Sequence, residues 1–294
     1  MKIALIANPE AGGGQCGKLL PEIKKELSAH HIEFDTTVSR YHEHIIKIAS
    51  QLKIENYDAI IAVGGDGTNF HLLNGLLANF KAEKLPPLGI IPAGAGNSFA
   101  LDLDINHFKD GIRSILKNSP KCVDVLSFTQ SEQKFYFVNL AGVGFVADVA
   151  RTAQKFKFFK DFSYIIGVVC KTVILKFHYM ELEIDGEMIT GENCFVEFCN
   201  SRFTGGNMLM APDAEIDDGY MDIIVAGKIS RISLLATLPK IFKGTHTRNP
   251  AVQHFKAKTA KIRTWPDKTL LPDGELFGTT PAVINIHPKM VRYL

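Results

Sequence analysis

The stretch Ala59-Ile60-Ile61-Ala62-Val63-Gly64-Gly65-Asp66-Gly67-Thr68 decides the fold. An unbroken apolar run of this length fits a strand buried on both faces, as in parallel sheets. The glycines that follow let the backbone approach a bulky anion closely. Amide N–H groups at such a corner form an anion-binding concavity, and a helix starting near Thr68 adds its positive end. A lone carboxylate in that cradle would repel a phosphate, so Asp66 makes best sense with a divalent cation screening it. The plainer reading is a tight strand-to-helix turn in which Asp66 serves as a helix cap.

The same grammar repeats on either side. Apolar runs over 3–7, 32–38, 58–63, 88–91 and 122–128 read as strands, with helical spacing over 18–29, 45–52, 68–79 and 112–116. Two further small-residue loops follow strands: Asn8-Pro9-Glu10-Ala11-Gly12-Gly13-Gly14 and Pro92-Ala93-Gly94-Ala95-Gly96-Asn97. In a parallel sheet such loops all emerge at the carboxyl edge, where ligands bind. Their convergence outweighs any one motif.

Beyond Phe128 the texture changes. Strand patterns over 135–140, 179–184, 194–199, 221–225 and 261–264 are punctuated by the turn signals Asp185-Gly186 and Asp218-Gly219, with helices over 148–159, 162–177 and 230–242. The expected organisation is an α/β domain over 1–125, to which a tail of about 284–294 can return, and a predominantly β domain over 126–283.

The whole chain of 294 residues carries a formal net charge of +2, too mild to imply nucleic acid, which usually needs a clustered basic face. Its 5 cysteines form no C-x-x-C pair, which points to reduced thiols in a cytoplasmic protein. No apolar stretch reaches the ~20 residues of a membrane span. The run Arg151, Lys155, Phe156, Lys157, Phe158, Phe159, Lys160 and Phe162 could rest transiently on an anionic membrane, though a helix packing its Phe residues inward is the commoner arrangement.

Taken together, Asn8-Pro9 with Gly12, Gly64-Gly65-Asp66-Gly67-Thr68, the loop 92–97, Gly142-Val143-Gly144-Phe145, Asp218-Gly219 and Asp273-Gly274-Glu275 resemble the diacylglycerol kinase catalytic-domain family, which includes sphingosine and ceramide kinases. The resemblance implies an α/β nucleotide-binding domain similar to that of phosphofructokinases and NAD kinases, followed by a β-sandwich that receives a lipid alcohol. It implies ATP as co-substrate and Mg²⁺ as its partner ion. ATP would be held by Asn8, Pro9, Gly12, Ser39, Gly64, Gly65, Gly67, Thr68, Gly94 and Asn97, with Asp66 reaching the catalytic Mg²⁺. Glu275 would be the base, with Asp273 supporting it. A structural Mg²⁺ would lie at Asp218 and the backbone carbonyls of Glu215 and Tyr220. The base role has its own chemical sense: an alcohol is a poor nucleophile until a carboxylate accepts its proton. For Asp-Gly alone, a type I′ turn with exposed acids would be the simpler reading.

Three positions depart from the bacterial members of that family. His71 stands for a Glu, Ala95 for a hydroxyl residue and Ser98 for an Asp, while Gly94-Ala95-Gly96-Asn97 leans toward sphingosine kinases. The acid with which those kinases bind an ammonium headgroup would fall at Ala150 and is missing. The expected activity is phosphorylation of a diacylglycerol-like or sphingoid-like hydroxyl, in a chain free to form a homodimer. The rival readings are an NAD kinase-type enzyme and a non-catalytic nucleotide- or lipid-binding regulator.

Overall fold

The computed structural model describes residues 1–41, 43–155, 171–172 and 174–294. The chain divides into two compact units, Met1–Val125 with Lys289–Leu294, and Leu126–Pro288.

The first unit alternates strand and helix: β1 (Lys2–Ala7), α1 (Ala11–Ala29), β2 (Glu33–Val38), α2 (His44–Ser50), β3 (Ala59–Gly64), α3 (Asp66–Leu77), β4 (Leu88–Pro92), α4 (Ser98–Asp102) and α5 (Phe108–Lys117). β1 pairs in parallel with both β2 and β3, and β3 pairs in parallel with β4. The apolar runs fill the core: Ile3, Leu5, Ile61 and Val63 from the sheet meet Ile23 and Leu27 of α1 and Ile112 and Ile115 of α5. Helix α1 begins earlier than the helical spacing alone suggests. Its first turn contains Gly12, Gly13 and Gly14 at φ of 63°, 65° and 86°, so this is a left-handed loop fused to a regular helix. Only glycine takes that conformation at little cost.

β5 (Lys121–Gln130) carries the chain into the second unit. There follow β6 (Gln133–Phe137), β7 (Leu140–Gly144), α6 (Phe145–Lys155), β8 (His178–Ile184), β9 (Glu187–Cys199), β10 (Phe203–Thr204), β11 (Met208–Leu209), β12 (Met221–Gly227), α7 (Arg231–Ile241), β13 (Val252–Ala257), β14 (Thr259–Trp265), β15 (Leu270–Pro272) and β16 (Ala282–Tyr293). The 13-residue β9 organises this unit. Its first half pairs with β8 through a hairpin whose turn residues, Asp185 and Gly186, both have positive φ. Its second half lies between β7 and β12. Leu140, Phe195, Cys199 and Ile224 bury one face of these strands against Val146 and Val149 of α6.

One sequence reading of this unit needs correction. The single strand expected over 135–140 is two strands, because the chain turns between β6 and β7. The segment Gly142-Val143-Gly144-Phe145 ends a buried strand and starts a helix. The helix expected over 162–177, and Phe156, Lys157, Phe158, Phe159, Lys160 and Phe162, fall mostly or wholly outside the described residues.

Candidate functional site

In the first unit the loops after β1, β3 and β4 touch. A Cβ on Gly12 would lie 2.8 Å from the Ala93 carbonyl oxygen, and one on Gly94 would lie 2.4 Å from Gly65 Cα. The backbones are therefore in contact at positions where no side chain fits. Each loop is also fixed internally. Asn8 donates its amide to the Val63 carbonyl and accepts from the Glu10 amide on Oδ1, and the Pro9 carbonyl accepts from Gly17. Thr68 folds its hydroxyl back over Gly64, where a Cβ would meet Oγ1 at 2.2 Å. Asn97, in left-handed conformation, closes the third loop by exchanging two hydrogen bonds with Gly94, both 2.9 Å. Ser39 sits buried at the end of β2, its amide on the Ala7 carbonyl, and Gly67 lies in the first turn of α3.

Asp66 joins two of these loops. Its carboxylate accepts the amides of Ser98 (2.8 Å) and Phe99 (3.1 Å), capping α4 rather than its own helix. Desolvation pushes the Asp66 carboxyl above its ordinary value, against the pull of those two amides. Ser98, one of the departures from the family pattern, contributes its backbone to this clamp. Another departure, His71, is buried in α3 with its ring edge-on to Phe70. Close-packed glycine backbones beside the first turn of α3 are the kind of surface that a phosphate group can approach closely. Asp66 is the carboxylate between two of these loops, and its oxygens are engaged by the Ser98 and Phe99 amides.

In the second unit Asp273 and Gly274 have φ of 47° and 85°, and the Glu275 amide closes the turn on the Pro272 carbonyl at 2.8 Å. The turn is of the primed kind, but its first acid is not exposed. Asp273 is buried, donates its amide to the Leu140 carbonyl, and accepts the amides of Asn139 (2.9 Å) and Val138 (3.2 Å) on its carboxylate. It staples the β6–β7 turn to the Asp-Gly turn. Glu275 follows it, half-buried.

The loop 211–220 differs from what the resemblance implies. Asp218 accepts the Tyr220 amide on Oδ1 (2.9 Å) and the Lys256 ammonium on Oδ2 (2.7 Å), while Glu215 and Tyr220 are exposed. Among the described residues no three His, Cys, Asp or Glu side chains group as metal ligands. The donor set here does not fit a divalent ion, because a lysine cation already holds its carboxylate.

Three ionisable groups with distinctive surroundings escaped the sequence reading. Lys256 carries no local signal. Glu197 is detectable, being the one acid in the apolar run Phe195-Val196-Glu197-Phe198-Cys199, and burial pushes its carboxyl up to about 8. His178, buried where a Cβ on Gly144 would meet its ring at 2.5 Å, is pushed down to about 4 by desolvation and by the charge of Lys268.

A parallel α/β unit with close-packed glycine loops, followed by a β-rich unit, is the architecture of a phosphotransferase of the two-domain kinase class. Comparison with known proteins narrows this. The family model described as "Diacylglycerol kinase catalytic domain" matches residues 2–128, and that described as "YegS C-terminal NAD kinase beta sandwich-like domain" matches residues 139–294. A diacylglycerol kinase of Staphylococcus aureus (strain MRSA252) is 31% identical over 283 residues, covering 95% of this chain and 87% of that protein. A crystal structure from Bacillus anthracis str. Sterne, solved as a candidate diacylglycerol kinase, has a TM-score of 0.81 at 27% identity, over 99% of this chain and 96% of that one. Another from the same organism has a TM-score of 0.78 at 26% identity, with the same coverage. The chain belongs to the diacylglycerol kinase family and is a lipid kinase. Among the described residues, no helix is long and apolar enough to cross a membrane.

Proposed function

We propose that this lipid kinase transfers the γ-phosphoryl group of Mg²⁺-bound ATP to the primary hydroxyl of a neutral lipid alcohol of the diacylglycerol class. The observation that carries this reading is the mutual contact of the Gly12, Gly65 and Gly94 backbones, which leaves peptide amides and helix ends as the lining for a triphosphate. Asn8, Pro9, Ser39, Gly64, Gly67, Thr68 and Asn97 shape that lining, and Asp66 serves the metal that the nucleotide brings. Glu275, held by the Asp273 staple, accepts the acceptor's proton as its oxygen attacks the γ-phosphorus and ADP leaves. Such transfer needs mainly positioning and charge neutralisation. The name of the Staphylococcus relatives supports diacylglycerol, and Ala150 in place of an acid argues against an ammonium headgroup.

The test is incubation of the purified chain with γ-labelled ATP and Mg²⁺ and, in separate mixtures, diacylglycerol in mixed micelles, a sphingoid base, or NAD. Label should enter diacylglycerol. Label in NAD alone would replace the reading by an NAD kinase-type one, and nucleotide binding without transfer would make the chain a regulator. Glu275→Gln should lower kcat by about 10²–10⁴-fold with ATP binding retained, the range for losing a general base. An unchanged kcat would remove Glu275 from the role.

A further inference from the structure

The loop 211–220 brings Asp213, Glu215, Asp217 and Asp218 into one bend, a composition that ordinarily invites a hard divalent cation. The charge is met differently here. Lys256 stands on β13 directly opposite Asp222 of β12. From there its Nζ reaches Asp218 Oδ2 at 2.7 Å and lies 4.0 Å from Asp222 Oδ2. Asp222 is fully buried, and its other oxygen is held by His254 Nε2 at 2.5 Å. The ammonium is thus bracketed by a loop carboxylate and a core carboxylate.

A Mg²⁺ or Ca²⁺ ion ligated by Asp218 would sit about 2.0–2.6 Å from its oxygen. The ammonium nitrogen is 2.7 Å from that same carboxylate, on Oδ2, and the remaining oxygen is engaged by the Tyr220 amide. Two cations on one small carboxylate would repel strongly, and neither would gain enough from the shared partner. We propose that the Lys256 ammonium is a built-in replacement for a divalent cation at the loop 211–220, so that this loop is held by a side chain of the protein itself. The second unit then keeps its loop closed whatever the free Mg²⁺ concentration. Divalent ions enter this protein's chemistry only with the nucleotide, at the first unit.

Lysine suits the exchange. Its ammonium is a compact point charge on a flexible stem with several donors, closer to a metal ion than the planar guanidinium of arginine. Its removal would leave Asp218 without its ammonium partner and Asp222 with His254 alone, which raises the affinity of the loop for an added cation. The proposal does not depend on the kinase reading, because it concerns the protein without nucleotide.

The experiment uses the full chain in the absence of nucleotide. Thermal melts are recorded in EDTA, in Mg²⁺ and in Ca²⁺, and bound metal is measured after dialysis. The wild-type protein should melt at the same temperature in all three and retain no stoichiometric divalent ion. Lys256→Met should melt several degrees lower in EDTA and regain most of that loss with Ca²⁺ or Mg²⁺, now binding a single ion. The double variant Lys256→Met with Asp218→Asn should lose that recovery. A wild-type protein that carries a tightly bound divalent ion, or melts several degrees higher with Mg²⁺, overturns the proposal even if the variant fails to fold. A folded Lys256→Met protein that neither binds an ion nor responds to one overturns it too, since the lysine would then be an ordinary surface ion pair.

Discussion

Gly94 and Gly65 approach so closely that a single methyl group decides whether the cradle exists. An alanine Cβ at 94 would lie 2.4 Å from Gly65 Cα, 2.9 Å from Gly65 N and 2.8 Å from Asn97 Oδ1. Two of those atoms are backbone and cannot swing away, so one loop must shift. Displacements of about 1 Å in a positioning element can cost about 10²-fold in rate. Gly94→Ala is expected to lower kcat/KM for ATP by about that factor, mostly through KM. Its melting point should drop only slightly, because the loops lie at the sheet's edge rather than in its core. Nucleotide titration by calorimetry checks this, and unchanged affinity would mean that the three-loop contact is not the phosphate site. The glycines themselves were readable in the sequence. Their mutual contact was not, because it depends on how β1, β3 and β4 order themselves in the sheet.

At the scale of the element, β9 carries an ionisable group through the apolar interior of the second unit. Glu197 pairs across to Gly142 and Ile224 and is fully buried, so it stays protonated in the folded protein up to about pH 8. Its ordinary value is 4.5. Between these limits the unfolded chain loses a proton that the folded chain keeps, so the contribution of Glu197 to stability falls as pH rises, by about 1.4 kcal/mol per pH unit. His178 on β8 works in the opposite sense. Its value falls from 6.5 to about 4 on folding, so its contribution is lost as pH drops below 6.5. The two slopes oppose each other between pH 4.5 and 6.5, and above 6.5 that of Glu197 acts alone. Glu197→Gln should therefore gain on the wild type progressively as pH rises from about 5 to 8, in denaturant unfolding at a series of pH values. A pH-independent difference between the two proteins would mean that the carboxyl ionises freely in the fold. This sheet was only partly legible. Its turns announced themselves through Asp-Gly, but β7 hid behind Gly142 and Gly144, whose missing side chains make room for Glu197 and His178.

At the scale of the whole molecule, the first unit is built from both ends of the chain, while the second is continuous. The repeated pattern of apolar run, small-residue loop and helix made the first unit legible, since each segment of a parallel α/β unit is local. The return of the C-terminus is a long-range event that only the structure specifies in detail. β16 ends beside β4, with Tyr293 paired in parallel to Leu88 and the Leu294 amide on the Leu88 carbonyl at 2.8 Å. Tyr293 is fully buried, its ring edge-on to Phe99 of α4 and its hydroxyl donating to Asn69 of α3 at 3.0 Å. These last residues therefore brace the two helices that follow the second and third glycine loops. Val291, Tyr293 and Leu294 are all buried, and burial of each large apolar side chain contributes about 1.5–3 kcal/mol, so together they represent much of a typical domain's 5–15 kcal/mol. Truncation after Pro288 should leave the first unit unable to hold its fold at physiological temperature. Tyr293→Phe, which keeps the ring and loses one buried hydrogen bond, should cost only about 1 kcal/mol. Hydrogen exchange separates the outcomes: the truncated chain should lose protection across β1, β3 and β4 while the strands of the second unit keep theirs. Full protection of β4 in the truncated chain would show that the first unit folds without its C-terminal strand, and that Tyr293 merely lies against a sheet that is already complete.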